Sequence, residues 1–182
     1  YVPEGREKPF GTADALYQCL LEYPHLKETT FCVCNSDNLY SLNALKLLKN
    51  ASSSQAILAY DIDHLEYTEE RISRFAVMKF NKDYDLLAIE EKPDPGNIQN
   101  YTDVLKKVRV SMNIFLFNGK HFFKYLENCP IHPIRNEKEL PSALMNMIKD
   151  DIRVMGITIA EHVPDLTSKK DIVELEKYFN KQ

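Results

Sequence analysis

Four short polar runs stand where chemistry would sit in a chain of alternating strands and helices. Asp37 follows an apolar run and opens Asp-Asn-Leu-Tyr. A carboxylate there can hold Mg²⁺ against phosphate oxygens, because that cation takes one or two carboxylates and completes its shell with substrate phosphates. Asp37 or Asn38 could equally cap the next helix. In Glu90-Glu91-Lys92-Pro93, Lys92 offers a compact cation for a phosphate and Glu91 an acceptor for sugar hydroxyls, while Pro93 stops the run. A surface charge pair before a turn has the same composition. Gly11-Thr12 precedes an apolar-periodic stretch. The missing Cβ would let a flat or anionic ligand reach the backbone, and N–H groups at a helix start would be its donors, although Gly-Thr is also an ordinary cap. Asp165, in Val-Pro-Asp-Leu-Thr, suits a second metal ligand or a carboxylate favouring a helix dipole.

The elements that would position these residues follow from apolar spacing. Helical periodicity spans Thr12 to Glu22, Leu42 to Lys49, Gly119 to Glu127, Lys138 to Lys149 and Ser168 to Phe179, the last with Ser168 as its N-cap. Strand-like runs cover Thr30 to Asn35, Gln55 to Asp61, Val108 to Phe117 and Arg153 to Ile159. Arg74 to Phe80 and Leu86 to Glu90, joined through Asn81-Lys82-Asp83, read as a hairpin. Strand, polar loop, helix, strand at the start is a βαβ unit, and such units build parallel sheets. The expectation is one α/β domain over residues 1–182, with ligands gathering beyond the carboxyl ends of the strands.

Composition narrows the classes. The 182 residues are 44% hydrophobic and 27% charged, as in an average globular domain. With a net charge of −4 and dispersed Lys and Arg, the chain has no basic face for nucleic acid. No apolar stretch approaches the ~20 residues that span a bilayer, and the first residues are not a secretory signal, so no membrane partner and a cytoplasmic location are expected. Cys19, Cys32, Cys34 and Cys129 form no CxxC pair and are expected to be small buried hydrophobes in a reducing compartment. The five histidines lack metal-ligand spacing, and no Ser/His/Asp or Cys/His arrangement can be argued.

Taken in order, GTADAL, SDNLY, EEKP, VSMNIFLF and PDLTSKKD resemble the sugar-phosphate nucleotidyltransferases, the family of glucose-1-phosphate adenylyltransferases and thymidylyltransferases. The resemblance covers essentially the whole chain. It implies a Rossmann-like fold with a mixed, mostly parallel sheet flanked by helices. It also implies a nucleoside triphosphate and a sugar 1-phosphate as partners and Mg²⁺ as cofactor. Gly11 and Thr12 resemble the segment that contacts the base. Asp37 is similar to the residue that binds the catalytic Mg²⁺, and Asp165 to its second ligand. Glu91 would bind the sugar and Lys92 its phosphate, and Ser111, Met112 and Asn113 would line the sugar pocket. Two departures stand out: Asn113 replaces a usual Gly, and Asp165-Leu166-Thr167 lacks the Gly of the family's Asp-Ile-Gly-Thr.

The family's Gly-rich loop with its Arg and Lys is not found in these residues, and the sequence begins at Tyr1. The chain is therefore expected to be a fragment lacking an N-terminal strand-loop-helix and to be inactive alone. A sheet edge exposed in that way could pair with a second copy and give a homo-oligomer. The implied reaction is attack by a sugar-phosphate oxygen on the α-phosphorus, releasing pyrophosphate, which is a problem of positioning and charge neutralisation. Two alternatives remain: a non-catalytic binding relative of the same fold, and a glycosyltransferase using Asp61-Ile62-Asp63 as an Asp-x-Asp motif.

Overall fold

The computed structural model describes residues 2–91, 93–169 and 171–179. Its helices are α1 (Thr12–Glu22), α2 (Leu42–Lys49), α3 (Glu69–Ile72), α4 (Gly119–Glu127), α5 (Leu140–Lys149) and α6 (Asp171–Phe179). Its strands are β1 (Thr30–Cys34), β2 (Ala56–Asp61), β3 (Ala76–Phe80), β4 (Leu86–Glu90), β5 (Arg109–Ser111), β6 (Ile114–Asn118) and β7 (Met155–Ile159). All seven belong to one sheet.

The core follows from period-two alternation on strands buried on both faces. On β2, Ile57 and Ala59 join one apolar cluster with Phe115 and Phe117 of β6, beneath α1, α4 and α5. Ala56, Leu58 and Tyr60 point the other way, to Ala44 and Leu48 of α2 and to Ile114 and Leu116. The result is a helix–sheet–helix sandwich. Phe117 stacks on Phe122 of α4 with ring centroids 3.8 Å apart, tying the longer apolar cluster to the sheet.

The sheet departs from the expected mostly parallel arrangement. Among the described residues, only β2 and β7 pair in parallel. The β1–β6, β2–β5, β2–β6, β3–β4 and β3–β5 pairs are antiparallel. The physical reason is an intervening strand. β1 and β2 do run in the same direction, as a βαβ unit requires, but β6 lies between them and is antiparallel to both. Apolar periodicity gives a strand its faces and is silent on its neighbours.

The expected single strand from Val108 to Phe117 is broken. Asn113 has φ 54°, a left-handed conformation, and the ladder stops on either side of Met112–Asn113. Both halves lie along one edge of β2; on their far edge β5 pairs with β3, whereas β6 pairs with β1. The sheet therefore divides at this bend, and β1 and β3 separate there.

A second departure is at the base of the hairpin. The Leu86 N–H donates to the Val154 carbonyl at 2.9 Å, and the Gly156 N–H donates to the Tyr84 carbonyl at 2.7 Å. Strands β2, β5, β3, β4 and β7 thus close a circuit. Gly156 permits it, because a Cβ there would overlap the ring of Phe80. Cys32 and Cys34 are exposed rather than buried, whereas Cys129 is buried and Cys19 half-buried.

Candidate active site

A cleft of about 610 Å³ opens where the sheet divides, with Gly11, Thr12, Glu91, Asn113, Arg135 and Glu139 in its walls. Gly11 has φ 102°, and a Cβ there would run into the Lys138 carbonyl. Only glycine lets the chain pass so close. The two segments are joined by backbone bonds, Lys138 N–H to the Phe10 carbonyl at 2.8 Å and Ala13 N–H to the Lys138 carbonyl at 3.0 Å. The Thr12 hydroxyl accepts from the Leu140 N–H at 2.9 Å and so serves the start of α5. One N–H at the start of α1, that of Ala13, and the Thr12 hydroxyl are thereby engaged with the protein.

The same cleft is lined by a cation, Arg135, that was not among the residues singled out from sequence. The Arg135 guanidinium lies 2.5 Å from the Glu91 carboxylate and 2.6 Å from that of Glu139. Burial works against its charge, but the charges and hydrogen bonds of Glu91 and Glu139 outweigh it and raise the Arg135 pKa. Arg135 is presented by a turn built on His132, whose Nδ1 accepts from the N–H groups of Ile134 and Arg135 at 3.3 and 3.2 Å. Asn136, at φ 53°, follows, and its carbonyl accepts from Arg6 at 2.7 Å. A basic residue in the polar turn His-Pro-Ile-Arg-Asn, four before Glu139, was the available signal.

Asn113 lines the same cleft. Its backbone N–H donates to the Ser111 hydroxyl at 3.2 Å. The Tyr40 hydroxyl donates to the Met112 carbonyl at 2.6 Å, holding the bend against the loop that follows β1. Ser111 and Met112 are buried beside the bend. Lys92 lies outside the described residues.

The two expected metal-binding carboxylates come from neighbouring segments. Asn38 and Asp165 form an antiparallel bridge. The Leu166 N–H donates to the Asp37 carbonyl at 2.7 Å, and the Leu39 N–H to the Pro164 carbonyl at 2.8 Å. Asp37 is exposed, and its carboxylate makes no ion pair or hydrogen bond with the described residues. A hard oxygen donor of this kind suits Mg²⁺. Asp165 differs: its Oδ2 is 2.7 Å from Nη2 of Arg71, and both carboxylate oxygens accept from the Thr167 hydroxyl, at 2.9 and 2.8 Å. Asp37 fits a cation as it stands, and Asp165 carries a counter-ion already. Among the described residues, no three His, Cys, Asp or Glu side chains cluster as a metal site.

Asp61-Ile62-Asp63 is tied into the fold. Asp61 is buried and accepts from the Asp63 N–H at 3.1 Å, with Arg109 3.8 Å from its carboxylate. Asp63 pairs with Lys107 at 2.5 Å. Asp61 is thus engaged inside the fold, whereas the Asp63 side chain stays 59% exposed beside Lys107. No helix among the described residues is long and apolar enough to cross a membrane.

Comparison with known proteins agrees with this architecture. The family model for nucleotidyl transferase matches residues 2–171. A glucose-1-phosphate adenylyltransferase of Clostridium novyi is 29% identical over 121 residues, which are 64% of this chain and 28% of that protein. Its counterpart in Bacillus thuringiensis is 22% identical over 90% of this chain and 41% of its own length. A Bacillus anthracis protein assigned as a glucose-1-phosphate thymidylyltransferase, solved in complex with a sucrose, superposes with a TM-score of 0.64 at 19% identity. That alignment covers 95% of this chain and 62% of the other, and it shows the fold. The chain spans 28% to 41% of the length of these two curated relatives.

Proposed function

This chain belongs to the nucleotidyl transferase family, and from that premise we propose that it supplies the sugar-phosphate and cation side of a sugar-1-phosphate nucleotidyltransferase. The observation that carries the reading is the Glu91–Arg135 pair lining one cleft with Gly11, while Asp37 lies in the loop between β1 and α2. A carboxylate beside a guanidinium is matched to a sugar that carries hydroxyls and a phosphate: the carboxylate accepts from hydroxyls, and the guanidinium donates to phosphate oxygens.

In this reading the sugar lies on the bend at Asn113, between the carboxamide and Glu91. Arg135, together with Lys92, would bind its phosphate and orient one oxygen toward the α-phosphorus of a nucleoside triphosphate. The Gly11 segment would form the wall that meets the nucleotide. Asp37 would hold Mg²⁺, which when bound supplies charge neutralisation between the two reacting phosphates. Pyrophosphate would leave as the nucleotide-sugar forms, so the protein's contribution is orientation and electrostatics, with no covalent intermediate on the enzyme.

The test is Asp37→Asn in the full-length protein, followed by pyrophosphate release with each triphosphate paired with several sugar 1-phosphates. The expected result is a fall in kcat of at least about a hundredfold with an unchanged melting temperature, the scale of losing a phosphate-clamping cation. Undiminished turnover would remove Asp37 from the reaction. Binding of a nucleotide-sugar with no turnover in the unaltered full-length protein would favour the non-catalytic relative instead.

A further inference from the structure

Arg135 reaches the cleft from a closed loop, and one side chain holds that loop together from within. Ile131 and Lys138 form an antiparallel bridge at its base, and the His132 N–H donates to the Glu137 carbonyl at 2.8 Å. Inside it, Nδ1 of His132 accepts from the N–H groups of Ile134 and Arg135 at 3.3 and 3.2 Å. Pro133, between them, has no N–H to give. A side-chain acceptor two and three residues before its donors is the usual role of Asp, Asn, Ser or Thr. Here an imidazole fills it. Only the neutral ring can do so, because a protonated Nδ1 is itself a donor. The accepting Nδ1 also fixes the tautomer: the ring proton is on Nε2, which lies 3.9 Å from Oε2 of Glu139. Oε1 of the same carboxylate holds Arg135 at 2.6 Å.

Resting on the assignment of Arg135 as a phosphate ligand, we propose that His132 is a positioning residue for Arg135 that acts only while its imidazole is neutral. Two supports of the guanidinium depend on that state. A proton on Nδ1 sets it against the N–H groups of Ile134 and Arg135 and opens the turn. The imidazolium then competes with Arg135 for Glu139. The other charged groups lining the hollow about the ring are Glu90 and Glu91, where β4 ends, and Lys149, at the end of α5. Within the loop, Glu137 lines the cleft, and the Lys138 ammonium lies 3.5 Å from the Glu127 carbonyl. Glu91 keeps its hold on Arg135, so the guanidinium stays in the cleft wall and loses its fixed direction. The His132 side chain is 33% exposed, so solvent protons reach it directly. Affinity for the sugar phosphate is thus set by the protonation of a residue outside the cleft's walls.

The test follows the ¹H–¹⁵N resonances of the Ile134 and Arg135 amides from about pH 8 to about pH 5, the range in which imidazoles change charge. Glucose 1-phosphate affinity is measured alongside by calorimetry, and neither readout needs turnover. Both amides are expected to shift together in the unaltered protein. They should stay still in His132→Asn, whose Oδ1 accepts in place of Nδ1 and does not titrate. The phosphate's own titration weakens binding in every variant, so each affinity is compared with that of His132→Asn at the same pH. The unaltered protein should match His132→Asn at the alkaline end. At the acid end it should bind roughly three- to tenfold more weakly, the scale of one or two hydrogen bonds. His132→Ala should show that loss already at the alkaline end. Equal pH profiles in the unaltered protein and His132→Asn overturn the proposal, as does His132→Ala binding as tightly as the unaltered protein. Should His132→Ala fail to fold, the two pH profiles decide without it. Amides that shift while glucose 1-phosphate affinity does not follow them remove Arg135 from phosphate recognition. Amides that stay still in the unaltered protein remove the role of His132.

Discussion

Arg135 and Glu91 meet 2.5 Å apart in the wall of the cleft, joining the turn before α5 to the end of the β3–β4 hairpin. Glu139 holds the same guanidinium from the other side at 2.6 Å. The cation is thus oriented before any ligand arrives, which lowers the entropic cost of binding a phosphate.

Replacing Arg135 by Ala is expected to raise the KM for the sugar 1-phosphate roughly 10- to 100-fold in the full-length enzyme, the worth of one charge-assisted phosphate contact. The KM for the triphosphate should change far less. Initial rates with each substrate varied in turn decide the matter, and equal effects on both would place Arg135 elsewhere in the reaction.

Gly11→Ala should destabilise the chain by about 1–3 kcal/mol from its backbone conformation, with a further loss from displacing Lys138. Gly5 provides the control. It also has positive φ, but open space surrounds it, so Gly5→Ala carries the conformational strain alone. Urea melts of the two variants should rank Gly11→Ala clearly below Gly5→Ala.

Asp103 predicts an acid limb of stability. Burial opposes its charge, yet the Lys107 N–H, the Arg109 guanidinium at 2.7 Å and the Tyr84 hydroxyl hold its pKa below the ordinary value of 3.8. The folded state therefore binds that proton less readily than the unfolded chain. The stabilisation is fully present above pH of roughly 4 and is lost as pH falls through the folded value. Asp103→Asn should cost about 3 kcal/mol at pH 7, since it strips a buried guanidinium of its nearest partner. The gap to the unaltered chain should narrow on acidification. Denaturant melts from pH 7 down to pH 3 measure it, and a gap independent of pH would reject the assignment.

Much of this architecture was legible in local sequence. The bounds of α1, α2 and α4 coincide with the apolar periodicity, because each packs a single stripe on the sheet. The hairpin was legible in its polar turn. The order of strands was not, since the antiparallel passage of β6 between β1 and β2 is a long-range choice that alternation does not encode. The break at Asn113 was also hidden: an Asn within an otherwise β-branched run looks like a polar interruption, and its left-handed φ becomes apparent only in three dimensions. In the candidate site, Gly11 and Glu91 stood out by residue type at the start and end of elements, and Asn113 through the family resemblance. Arg135 escaped because it lies in a turn with no strand before it, and the pairing of Asp165 with Arg71 escaped because the partners are far apart in sequence.

The strand circuit that Gly156 closes has a mechanical meaning. The hairpin that ends at Glu91 and the strand leading to Asp165 are stitched together at their bases by Tyr84, Leu86, Val154 and Gly156. The span between Glu91 and the Asp165 segment is therefore fixed by strand pairing, as in a frame braced at the corner, rather than by the intervening loops. Lengthening a surface loop would leave that span unchanged, whereas a side chain at position 156 would pry the frame apart and shift both ends together.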